Sequence, residues 1–205
     1  MTVDSLSSAV PRLAVGAAVL GFLYDAPHLL FDADYAVASD HPLYIFHGAA
    51  GIAAFVVLAL VLAGLLIRMG SRVAGTLPAV GGAVTLAGLF LASGGIWGEA
   101  FMIPYLADID PSVFADDVGG YLLGVIVLGG VTLATGWLMM TVAIRRAGLA
   151  SKGAAIALGV GSILLLVPLP LTTFLFTLAL AVVAQRLESA SASAPAVERP
   201  LVATA

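Results

Sequence analysis

Apolar residues fill five long blocks of this chain on every face, and short polar loops separate the blocks. They cover residues 11–31, 42–69, 77–102, 120–144 and 154–185. Each is at least about as long as the roughly 20 helical residues that cross a bilayer. A β-barrel would instead show alternating segments of about 10 residues. A helix also satisfies its own backbone in hydrocarbon. The pattern predicts an all-α integral membrane protein, a bundle of five transmembrane helices.

Local signals set the boundaries. Pro42 suits a first helical turn, where its missing N–H costs nothing. Arg68, Gly70, Ser71 and Arg72 close the second block, and Pro104 marks the exit of the third. The last block contains Pro168 and Pro170, and splitting it there leaves two pieces too short to cross separately. A single kinked fifth helix is the simplest reading. A re-entrant hairpin would need protein or water around its turn. The Ala-, Ser- and Pro-rich tail reads as disordered. This gives one bundle over residues 1–187 and a tail over 188–205.

Loop charge then orients the bundle. Arg12, Arg68, Arg72, Arg145, Arg146 and Lys152 fall on one side of the predicted topology. Asp25, Asp32, Asp34, Asp40, Asp108, Asp110, Asp116 and Asp117 fall on the other. The positive-inside bias puts the N-terminus in the cytoplasm and the C-terminus outside. The first block is a poor signal peptide: it runs straight into Asp25, Pro27 and His28 with no small-residue cleavage site, so it reads as a mature helix.

The first and third blocks end alike, Gly21-Phe22-Leu23-Tyr24-Asp25-Ala26 and Gly95-Ile96-Trp97-Gly98-Glu99-Ala100. This raises the reading of two parallel helix hairpins plus a fifth helix, with Asp25 and Glu99 in equivalent places.

Composition narrows the function classes. At 61% hydrophobic and 10% charged residues, the chain has too little charge to wet a soluble surface. It has no cysteine, which excludes disulfides, thiolate metal sites and cysteine nucleophiles. No basic cluster points to nucleic acid. No nucleotide loop, Gly-x-Ser-x-Gly elbow or HExxH motif is present.

Candidate chemistry gathers on the outer side. Glu99 lies roughly 7 Å inside the helix end marked by Pro104, at about 1.5 Å per residue. A carboxylate at that depth must face protein, water or a cation. Asp25 and His28 are three apart on one helix face, a spacing that lets a carboxylate orient an imidazole. His47 lies well inside the second helix, one turn beyond Tyr44, while His41 caps that helix or is solvated. All three histidines fall between His28 and His47.

His28, His47, Asp25 and Glu99 thus form a candidate nitrogen/oxygen site for Zn²⁺, Fe²⁺ or Mn²⁺. His28 and His47 also admit haem ligation, without any other haem cue. The same cluster, with Glu99, His47 and Asp25 as catalytic groups, suits acid–base chemistry on a lipid-like or isoprenoid substrate. For each residue the competing reading is structural: Glu99 locking neighbouring helices, Asp25 and His28 satisfying each other at the headgroup level. Tyr24, Tyr44, Tyr105 and Tyr121 read as an aromatic belt, Trp97 as belt or pocket lining, and Trp137 as packing. Gly48, Gly51, Gly120, Gly124, Gly153, Gly159 and Gly161 read as close-packing positions.

The sequence therefore favours a small polytopic protein of the cell membrane with an outward-facing His/carboxylate site, as a metal-dependent or acid–base enzyme. A non-catalytic assembly partner and a component of a solute or ion transporter are the alternatives. Expected partners are the lipid bilayer, an apolar small molecule and a second copy of the chain.

Overall fold

The computed structural model describes residues 3–30, 41–73, 75–109, 118–166 and 171–192. α1 spans Val3–Asp25 and tightens into a 3-10 turn at Ala26–Leu29. α2 spans Tyr44–Met69. α3 spans Leu77–Trp97 and passes through a π turn at Gly98–Met102 into the short α4, Ile103–Ile109. α5 spans Val118–Arg146, α6 Lys152–Leu164 and α7 Thr172–Ala192.

Among the described residues, four stretches are long and apolar enough to cross a membrane: Ser5–Leu29, Tyr44–Met69, Leu77–Leu106 and Gly124–Arg146. Two shorter apolar helices, Lys152–Leu164 and Thr172–Arg186, follow them. The protein is an all-α, multi-pass protein of the cell membrane.

Small residues decide how the helices pair, because lipid tails are as apolar as leucine and close packing must drive association. α3 and α5 form the most extensive pair. Along their seam a Cβ on Gly88 would collide with the backbone of Leu133, and one on Gly136 with the backbone of Thr85. α1 packs on α2, where Gly64 faces Val10 and Gly51 faces the Tyr24 ring. α7 lies along the other side of α1. The shared core includes Val10, Leu58, Leu65, Trp137, Phe176 and Leu180, all fully buried or nearly so. Phe90, Trp97 and Tyr105 point outward, where the bilayer is their solvent.

Of the three prolines expected at helix boundaries, Pro42 lies just before α2, whereas Pro11 and Pro104 lie inside helical segments. α1 begins at Val3 and contains Pro11. Pro11 has no N–H for the carbonyl four residues back, that of Ser7. The Arg68 Nε–H of α2 donates to this Ser7 oxygen at 2.8 Å, so a neighbouring helix satisfies the freed group, as hydrocarbon requires. Pro104 likewise does not end the third crossing. The π turn directly before it widens the helix, with the Ile103 N–H reaching back to the Gly98 carbonyl. Such a turn absorbs the crowding of a proline ring against the preceding turn.

The last block corrects another expectation. Residues 154–185 do not form one kinked helix. A Cβ at Gly161 on α6 would lie 3.3 Å from Phe176 Cα on α7. In a continuous helix those residues would be about 22 Å apart. Gly153 and Arg186 also line one groove. The chain therefore doubles back and α6 and α7 run antiparallel. Pro168 and Pro170 lie outside the described residues. Leu171, just after them, has φ 72°. Protein packs on one side of this hairpin: Phe176 packs on Trp137 of α5 at 5.2 Å between ring centroids, and α7 rests on α1. α7 runs on to Ala192, so residues 188–192 of the predicted tail are helical rather than disordered; residues 193–205, the aspartates at 32, 34, 40, 110, 116 and 117, and the Tyr121 side chain lie outside the described residues.

Candidate metal centre

Three elements far apart in sequence converge at the end of the bundle opposite the Arg68–Ser7 contact. The 3-10 turn after α1 carries His28, the first turn of α2 carries His47, and the π turn after α3 carries Glu99. One ligand atom from each lies within 4.8 Å of the other two. Donors bound at about 2.0–2.2 Å to one ion lie at most roughly 4.4 Å apart. Small side-chain rotations would therefore suffice for this set to meet on a common cation.

Each donor has its own positioning device. His28 sits where the helix tightens, and its Nδ1 is 3.1 Å from the Tyr24 carbonyl. A carbonyl only accepts, so Nδ1 carries the hydrogen and Nε2 presents a lone pair. This is the usual way a backbone oxygen fixes the tautomer of a ligating histidine. His47 is fully buried. The Tyr24 ring stacks against it at 5.7 Å with planes 19° apart, and Tyr44 meets it edge-on at 5.0 Å. His28 approaches its edge at 4.7 Å.

Glu99 is 7% exposed, on a turn that a regular helix would not contain. Gly48 makes the approach possible: a Cβ there would overlap the Ala100 side chain. Because the segment continues beyond Pro104 to Leu106, Glu99 lies about 10 Å inside the span, deeper than the sequence implied.

Charge explains why these groups belong together. A buried carboxylate is costly unless a cation or hydrogen bonds compensate it. Among the described residues, Arg68, Arg145, Arg146 and Lys152 cannot serve. Arg68 ends α2 beside the start of α1, Arg145 and Arg146 end α5, and Lys152 starts α6, all at the opposite end of the bundle. Two imidazoles and one carboxylate instead form a donor set that could coordinate a divalent transition ion.

Asp25, expected in the same set, lies outside this group of three. It is 5% exposed, and its Oδ2 accepts the Phe174 N–H of α7 at 2.7 Å. It thereby fills one of the donor positions that a helix start leaves open. His28 takes its orientation from Tyr24 instead. His41 accepts the Leu43 N–H through Nδ1 at 3.2 Å, at the entry to α2.

Tyr44 corrects the belt reading, since it is 1% exposed and packs on His47. Trp97 and Tyr105 keep their outward positions. The spacing of Tyr24 to His28 and of Tyr44 to His47, one helical turn each, was the available sign that both tyrosines wall the site. The edge contact between the His28 and His47 rings leaves no space for a haem plane between them.

Comparison with protein-family models, with curated proteins and with solved structures finds no match to this chain.

Proposed function

We propose that the protein is a membrane metalloprotein that holds one divalent transition ion on His28, His47 and Glu99, at the outward-facing end of the bundle. The observation that carries this reading is the convergence of two imidazoles and a carboxylate, from three separate helical elements, within 4.8 Å of one another at membrane depth. Three protein donors leave a coordination position open, which is characteristic of catalytic rather than structural sites. A bound ion of this kind polarises an oxygen or activates a water molecule. The chain's own part is to exclude bulk water, fix the His28 tautomer and hold Glu99 in place.

The substrate class we infer is lipid-like. His28 is the most exposed of the three donors, and the exposed apolar side chains Leu29, Leu30 and Phe46 flank the histidine-bearing turns. A substrate would therefore enter from the bilayer. Fully buried Ala54, Leu58, Val61 and Leu65 continue along α2 toward the arginine-bearing end. This aliphatic column favours a one-sided site over a transport path.

Orientation belongs to the same proposal. The antiparallel α6–α7 pair brings Arg186 to the end that carries Arg68, Arg145, Arg146 and Lys152. Positive-inside bias then places that whole end, with both ends of the described chain, in the cytoplasm. The tight pairs α1–α2 and α3–α5 support the organisation as two successive hairpins, with α6–α7 as a third. The described chain up to Arg186 forms one bundle in this reading.

The test is metal content. Protein purified in detergent and loaded with Zn²⁺ or Co²⁺ should retain one ion per chain, and the cobalt form should show the visible bands of a low-symmetry nitrogen/oxygen site. H47A and E99Q should lose the ion while keeping their helical circular dichroism. Unchanged stoichiometry in both variants would overturn the proposal.

A further inference from the structure

The α6–α7 hairpin leaves a groove on its lipid-facing side, with a volume of about 500 Å³. Its floor and walls are Ala157, Leu178, Ala179 and Val182, and it runs to Gly153 and Arg186 at one end. Leu175, Leu178 and Val182 are 45%, 42% and 44% exposed, so the groove opens sideways to hydrocarbon. Gly153 leaves its charged end wide: a Cβ there would meet nothing within 4 Å.

That end is positively charged. Arg186 and Lys152 are both exposed there. It is also the start of α6, where Ser151 caps the helix by accepting the Ala154 N–H at 3.2 Å and the dipole presents its positive pole. The lining contains no acidic side chain. An apolar channel open to the bilayer, ending at Arg186 with Lys152 next to the lining residue Gly153, has the chemistry of one amphiphile: a fatty chain with a negatively charged head. Basic pockets between transmembrane helices recognise anionic headgroups in this way.

We propose that this groove is a binding site for a single anionic phospholipid, with one acyl chain between α6 and α7 and its phosphate on Arg186 and Lys152. The groove shares no residue with the metal centre, its charged end lies at the other end of the bundle, and the proposal does not depend on the metal reading.

The experiment is lipid retention by the full-length protein. Detergent-purified protein is mixed with phosphatidylglycerol or phosphatidylcholine and examined by native mass spectrometry and thermal unfolding. One phosphatidylglycerol should stay bound per chain and raise the unfolding temperature, with phosphatidylcholine at least about tenfold weaker. R186Q with K152Q should abolish that preference, and both residues are exposed, so folding is not at stake. A157F, which fills the groove from an exposed position, should reduce retention of both lipids. Equal binding of the two lipids, or a preference unchanged in R186Q/K152Q, would overturn the proposal. So would a dimer that forms through α6 and α7 and is abolished by A157F.

Discussion

Asp25 at the end of α1 accepts the backbone N–H of Phe174 in the first turn of α7, at 2.7 Å and across 149 positions of sequence. A carboxylate at a helix start is bonded and sits favourably in the helix dipole. This contact fixes the last helix against the first. It also commits a carboxylate that sequence reasoning placed in the reaction centre.

D25A should therefore destabilise the bundle while leaving the metal donors in place. Leaving a buried N–H unsatisfied costs about 1–3 kcal/mol. D25N keeps an acceptor and should cost less. Unfolding in mixed micelles measures the loss. Metal content measured on the same samples should stay at the wild-type level, and a parallel loss of metal would show Asp25 to be a ligand.

Pro11 and Arg68 form a second long-range pair, linked through the Ser7 carbonyl. R68L should destabilise the protein by about 1–3 kcal/mol, because it strips the carbonyl of its donor. P11A restores an N–H to position 11, so R68L should cost less in the P11A background. A double-mutant cycle reads this coupling, expected at about 0.5–3 kcal/mol. A coupling near zero would mean that Arg68 does not compensate for the proline.

P104A separates stability from function. Removing the ring lets the π turn relax toward a regular helix, which rotates Glu99 relative to His28 and His47. The variant should unfold no more easily than the wild type, yet bind metal about 10–100-fold more weakly, as expected when ligand orientation is lost. Equilibrium dialysis with Co²⁺ checks this. Unchanged affinity would show that the widened turn does not aim Glu99.

The antiparallel hairpin makes a topological prediction. The chain has no cysteine, so single cysteines can be introduced without background. K152C and Q185C should react with an impermeant maleimide from the same side of a sealed vesicle. Labelling from opposite sides would restore a single crossing between them.

The membrane class and the candidate donors were more legible in the sequence than the connections. Uniformly apolar blocks show that helices cross, because hydrocarbon imposes one requirement on all of them. Glu99 and the two histidines stand out because each is expensive at that depth. What no single helix records is where a neighbour places its polar atoms. Pro11 looked like a helix start because the Arg68 side chain that satisfies Ser7 lies 61 positions away. Asp25 looked like the partner of His28 because they share a face, while its real partner comes from the final helix. Gly88 and Gly136, whose missing side chains let α3 and α5 touch, were indistinguishable from other glycines until the pairing was known. The hairpin was hidden for a similar reason: apolar pieces too short to span read as one segment unless the surrounding protein is seen.

Order of synthesis gives the donor arrangement a further meaning. His28, His47 and Glu99 all emerge from the ribosome before α5, whereas the amide that engages Asp25 belongs to the final helix. On the proposed reading, a nascent chain can thus acquire its ion on a half-built scaffold, and α1 is clasped only after α7 has been made.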